Sequence, residues 1–324
     1  MQNQPMRKFV VAVAVSALTL AGVFFLFHQE PATGPGPTRV AAPFPFPAAP
    51  PTRASAPPTA ETNPYSGLTA RLANPLENAP SLRTYFEHHQ QSADVLARWF
   101  AARAWSACFP IFLPPTNGVA TIEQVTHALS ADAPNYAERV EAYRALMGRC
   151  RGFLDLPRAA LVAQSAQISG AIQAGTVQSP GEHARTLAQH GQRAQAAQLA
   201  QTILRAEDGY ALDSLRDYVF DTLAARADPN SAFDQASPVM RPDLRALALS
   251  VTACDLGLAC GAASLTALQR CANLGQCSGD LRQRLLQDLT LAEQRSVQQA
   301  SAELRAALRT HDFTALDWVS AEKR

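Results

Sequence analysis

From Phe9 to Phe27 the chain runs nineteen residues without a charge, and only Ser16 and Thr19 bring hydroxyls. At about 1.5 Å per residue a helix of that length spans about 28 Å, close to the hydrocarbon thickness of a bilayer. A helix packed on a soluble core shows a polar face, and this run has none. Arg7 and Lys8 precede it, and the next basic residue is Arg39. The positive-inside pattern therefore predicts a cytoplasmic N-terminus at 1–8, a transmembrane signal anchor at 9–27 and export of the chain beyond it. The run ends in Phe24-Phe25-Leu26-Phe27 and His28-Gln29-Glu30 with no small-residue cleavage pattern, so the anchor is expected to stay attached. Cys108 is the first cysteine, which leaves no residue for lipid modification near the anchor.

The pattern then changes character. Residues 31–64 hold eleven of the 23 prolines, set among Ala and Thr. Each proline fixes φ and removes an N–H, so 28–65 is expected to be a Pro/Ala-rich disordered tether with neither helix nor ladder. Within it, Ala42-Pro43-Phe44-Pro45-Phe46-Pro47 also has the makings of a docking peptide for an aromatic groove.

From residue 66 to 324 apolar positions recur with a helical period. Leu244, Leu247, Ala248 and Val251 stand at i, i+3, i+4 and i+7; Leu212, Leu215, Val219 and Leu223 form a second stripe; Val297, Ala300, Leu304 and Leu308 form a third. No stretch alternates with period two. Breakers and caps place helices near 81–90, 92–108, 121–131, 135–150, 157–173, 180–190, 192–206, 210–226, 242–255, 262–273, 279–287 and 290–310. Ser81 and Thr121 read as N-caps, Pro157, Pro180 and Pro242 as first-turn prolines, and Gly152, Gly175 and Gly257 as helix ends. The expected fold is all-α, an irregular stack of antiparallel helical hairpins, solenoid-like or an orthogonal bundle. The turns at 207–212, 227–233 and 311–316 resemble one another without a fixed period.

Charge and cysteine content sharpen this picture. With 28 basic and 27 acidic residues overall, and −1 for 66–324 once Arg7, Lys8, Arg39, Arg53, Glu30 and Glu61 are set aside, there is no field to hold nucleic acid. Export makes the six cysteines, Cys108, Cys150, Cys254, Cys260, Cys271 and Cys277, disulfide candidates. In the cluster Cys254-x5-Cys260-x10-Cys271-x5-Cys277, loop-closing pairs 254–260 and 271–277 fit best, and the crossed pairing 254–271 with 260–277 stays open. The five-residue gaps do not suit a structural zinc site, and no C-x-x-C redox motif occurs. Ala253-Cys254-Asp255-Leu256-Gly257-Leu258-Ala259-Cys260-Gly261, with Cys271-Ala272 and Gly275-x-Cys277, resembles a pattern in uncharacterised exported helical proteins of proteobacteria. The resemblance implies a membrane-anchored or secreted helical protein with disulfides, and no activity.

Catalytic motifs are absent: no G-x-S-x-G, H-E-x-x-H, phosphate loop or dinucleotide fingerprint. No catalytic, metal or cofactor residues are expected. His88 and His89 point to different sides of a helix; His183 and His190 share a face that reads as solvated; Glu138 and Glu141, interspersed with Arg139 and Arg144, read as helix ion pairs. Trp99, Phe100, Trp105 and Phe109 read as core, and Phe109-Pro110-Ile111-Phe112-Leu113-Pro114-Pro115 as an apolar loop packed under a disulfide. The expected function is a non-enzymatic interaction or scaffold module, anchored in the inner membrane with its domain in the periplasm. Its expected partners are the lipid bilayer and an unidentified envelope protein. Two further readings are a foldase-like folding helper, since Arg216-Asp217-Tyr218-Val219-Phe220-Asp221 partly matches the lipase-foldase signature, and a cell-wall hydrolase with an unrecognised site.

Alkaline phosphatase fused after Arg324 is expected to be active in living bacterial cells and β-galactosidase at the same point inactive; the reverse result would remove the export reading.

Overall fold

The computed structural model describes residues 63–109, 111–112, 120–127, 129–225, 241–316 and 318–319. The predicted anchor, all but the last residues of the tether, the segment 42–47 and the turn at 227–233 lie outside the described residues. No helix among the described residues is long and apolar enough to cross a membrane.

The described residues are all-α, as the periodicity predicts. A π-helical turn, Thr69–Ala73, leads into α1 (Asn74–Glu77). Next come α2 (Leu82–His89), α3 (Val95–Ser106), α4 (Ile122–Thr126), α5 (Tyr136–Leu154), α6 (Arg158–Gln173), α7 (Pro180–Gln189) and α8 (Arg193–Leu204). The chain continues through α9 (Gly209–Ser214), α10 (Arg216–Ala224), α11 (Pro242–Asp255), α12 (Leu265–Leu274), α13 (Leu281–Leu286) and α14 (Leu291–Thr310). Side-chain oxygens of Ser81, Asp94, Thr121, Ser179, Asp208, Ser264, Asp280 and Thr290 each accept a first-turn N–H, and each such cap contributes about 1 kcal/mol.

The expected helix at 121–131 is shorter, ending at Thr126, and other points differ from the sequence reading. Gly152 does not end a helix: α5 continues to Leu154, and a Cβ at Gly152 would come 3.0 Å from Arg83 of α2, so the glycine serves a close crossing. The stripe at 210–226 is two helices, because α9 ends at Ser214 and α10 starts at Arg216, with Leu215 as the cap of both. The helix at Asn74–Glu77, with its π-turn, went unpredicted.

Sequence-adjacent helices pair, as α2 does with α3 and α7 with α8, but the chain also returns on itself. α5 packs on α12, α11 on α14 and on α9, and α10 on both α7 and α11. One core extends from Leu68 to Val319 and includes Phe86, Phe100, Trp105, Phe112 and Phe153; a smaller one holds Leu244, Val251, Leu281, Leu285 and Val297 between α11, α13 and α14. Trp105 meets Phe153 edge-on at 5.1 Å and Phe86 at 6.0 Å, so the aromatic stretch is core. Phe112 is fully buried and meets Tyr143 edge-on, the packed role expected of its loop. α7 approaches the α9–α10 junction so closely that a Cβ on Gly181 would lie 1.7 Å from the Ser214 carbonyl oxygen.

Four helices meet at one glutamate. Glu77, only 2 % exposed, ends α1. Its Oε1 accepts from Arg103 of α3 at 2.7 Å and from the Thr266 hydroxyl at 2.8 Å, while Oε2 accepts the Thr266 backbone N–H at 2.8 Å. That places a negative charge on the N-terminal turn of α12, where the helix dipole favours it. Arg149 of α5 donates to the Glu77 carbonyl at 2.9 Å and to Ala263 at 2.6 Å. Burial opposes the charge on Arg103, but Glu77, with Tyr210 and Asp213, outweighs it and holds the guanidinium pKa above its ordinary value. A second buried knot forms at Asp208, whose oxygens accept from the Thr69 N–H, the Thr69 hydroxyl and the Ala211 N–H.

All six cysteines close disulfides: Cys108–Cys150, Cys254–Cys260 and Cys271–Cys277, with Cα separations of 5.6, 5.7 and 4.3 Å. The loop-closing pairing thus holds over the crossed one. The 42-residue ring contributes about 4 kcal/mol by chain entropy and each six-residue ring about 2 kcal/mol.

Glu77→Ala is expected to lower the unfolding free energy by about 3 kcal/mol, because Arg103 loses its ion-pair partner and the Thr266 N–H its acceptor; urea unfolding followed by tryptophan fluorescence measures it, and a loss under about 1 kcal/mol would show that the carboxylate holds little. A mild phosphine reductant applied to the native protein is expected to open Cys254–Cys260 and Cys271–Cys277, each with a half-exposed cysteine, before the fully buried Cys108–Cys150. Alkylation of the freed thiols and mass spectrometry give the order.

Candidate binding groove

An open groove of about 860 Å³ lies across α4, α5, α12 and α13. The size is that of a ligand site. Its position is set by two seams. α4 is started by its own capping box of Thr121 and Gln124 and packs on α5. α12 is fastened to α5 at its C-terminal end: Asn135 Nδ2 donates to the Gly275 carbonyl at 2.7 Å, Arg139 donates to the Ala272 and Asn273 carbonyls at 3.0 and 3.1 Å, and the Tyr143 hydroxyl donates to Asn273 Oδ1 at 3.0 Å. A cation at a helix C-terminus satisfies orphan carbonyls and complements the dipole. Gly275, at φ 73°, turns the chain into the Cys271–Cys277 loop, whose disulfide forms part of the groove wall.

The floor is apolar, with Ile122, Val140 and Leu268. The rim is charged. Glu141 pairs with Arg144, as the sequence predicts. Glu138 is different: it lies on the groove, exposed, without an ion-pair partner among the described residues, as does Glu123 of α4. The Glu123 carboxyl is held below its ordinary range by its own backbone N–H and the Thr121 hydroxyl, so it is ionised at neutral pH. At the α13 side stands Arg284, 6 % exposed. It donates to the carbonyls of Gly279 and Ala267 and forms no ion pair among the described residues. Burial pulls its pKa below the ordinary value, with Asp280 opposing.

The other residues singled out by sequence do not gather into a site. His88 and His89 line a cavity of about 270 Å³ with Pro75 and Pro80; the His88 ring meets the Thr84 carbonyl at 2.9 Å and the His89 ring lies tilted against Tyr85 at 4.5 Å. His89 is pushed below its usual pKa by burial and by His88. His183 and His190 are exposed. Among the described residues no three metal-binding side chains come together. Trp99 donates to Glu182 at 2.7 Å and leans on Phe100 and Tyr210. In the foldase-like stretch Asp221 is taken by Arg185 at 2.6 Å and Phe220 is exposed. Arg270, pushed down to about 10 by burial and by Arg216, keeps an unpartnered buried Nε.

Sequence reading missed Glu77, Arg103, Arg149 and Thr266, and it missed the groove. The one signal was Glu77 itself, a lone carboxylate among Leu68, Leu72, Leu76 and Leu82. No protein family, curated protein or solved structure matches the chain.

Proposed function

We propose that this chain is a membrane-tethered helical binding module of the cell envelope, anchored by 9–27, spaced by 28–65 and folded from 66 onward in the periplasm as a bundle rather than a linear array. The groove across α4, α5, α12 and α13 carries the binding half of this reading. It is open, apolar at the floor and charged at the rim, and its free carboxylates are exposed rather than sunk in an apolar cleft. The pairing of all six cysteines supports the exported address, since disulfides persist in oxidising compartments. Packing of α5 on α12, more than a hundred residues apart, supports the bundle, because solenoid repeats touch only their neighbours.

A photo-crosslinking amino acid at Ala145, exposed on the groove, is expected to capture one reproducible envelope partner in living cells, and the same label at Val162 on α6 to capture none. Equal labelling from both positions, or none from Ala145, would overturn the groove as the binding face.

A further inference from the structure

The charges left over along the groove specify what it holds. Elements pack in the order α4 on α5, α5 on α12 and α12 on α13. Glu123 on α4 and Glu138 on α5 form no ion pair among the described residues, whereas Glu141 pairs with Arg144. Arg284, on α13, is a guanidinium almost wholly out of water whose hydrogen bonds go to neutral carbonyls. Asp280 is an opposite charge that makes no ion pair with Arg284, and a carboxylate in direct contact lowers the cost of burying the guanidinium. The lining therefore combines carboxylates from α4 and α5, apolar side chains from α4, α5 and α12 and a guanidinium from α13. Neighbouring helices lie about 8–10 Å apart. A free amino acid carries its two charges within about one 3.8 Å residue step, too short to reach across; a few extended residues are long enough.

We propose that the groove takes an extended peptide segment of its partner, which sets a basic side chain against Glu123 and Glu138, lays an apolar side chain over Val140 and Leu268, and brings a carboxylate to Arg284. The inference rests on the binding-module reading and adds the chemistry of the partner. The carboxylate comes from a chain terminus or from an Asp or Glu side chain, which present the same group.

The test uses the purified full-length protein in detergent and an immobilised library of random heptapeptides, displayed with free carboxyl termini and again amidated. Bound peptides are expected to be enriched in Arg or Lys two to five residues before an apolar residue or a carboxylate. Loss of binding on amidation identifies a terminal carboxylate; loss only on Asp→Asn or Glu→Gln replacement in the peptide identifies a side chain. The double variant Glu123→Gln with Glu138→Gln, both exposed, is expected to weaken the selected peptides about tenfold while keeping a cooperative unfolding transition. Arg284→Gln is expected to remove the carboxylate preference and spare the basic one; its folding is checked by thermal melting, and if it does not fold the exposed double variant decides. No basic enrichment, or enrichment indifferent to the double variant, overturns the proposal. Crosslinking at Ala145 separates this from failure of the module itself: a partner captured there through a segment without a basic residue overturns only the peptide chemistry, whereas no partner and no peptide overturns both.

Discussion

The Glu77 carboxylate is the point on which the rest of the structure turns. It stands at the end of a four-residue helix that could not persist alone, and it holds the arginine of α3 and the N-terminal turn of α12 while its own carbonyl receives Arg149 of α5. These helices come from sequence positions almost two hundred residues apart. Hydrophobic burial alone would bring Ala-rich helices together in many registers, since alanine surfaces are smooth and interchangeable. A bidentate carboxylate admits one register, because both oxygens must find donors at once. The same constraint extends to the groove, whose walls are α5 and α12 held at one end by Glu77 and at the other by Asn135 and Arg139.

How legible this was depends on the kind of interaction. Helical period, N-caps at Ser81 and Thr121, and the left-handed glycines at 175 and 257 are local, so the sequence exposes them. The two short disulfide loops are also local, since their ends are six residues apart. Gly152 misled because a helix-ending glycine and a glycine under a crossing arginine look alike in one dimension. The helix at Asn74–Glu77 is too short to show a stripe, and its stability is tertiary. Glu138 was read correctly as belonging to a charged helical face, yet its place on a groove is set by α12, which no spacing within α5 reveals.

The similarity of two turns gained a physical content that sequence comparison lacked. Glu207 and His311 both take positive φ, at 49° and 52°, and each is followed by an aspartate whose carboxylate accepts from the backbone of the next segment. The two turns lie side by side, His311 Nε2 being 3.5 Å from Glu207 Oε1 and Arg205 resting over the Phe313 ring. Whether or not they share an origin, the same device starts α9 and closes the end of α14.

The sealed position of Cys108–Cys150 constrains the order of events in the making of this protein. Both residues are fully out of solvent, among Leu146, Phe112 and Phe153 in the main core. A thiol–disulfide exchange partner needs access to sulfur along the bond axis. Once the core has closed, that access is gone, so oxidation must accompany or precede the docking of α3 on α5. A chain that folded while still reduced would bury two thiols side by side and would have to reopen its core to be repaired.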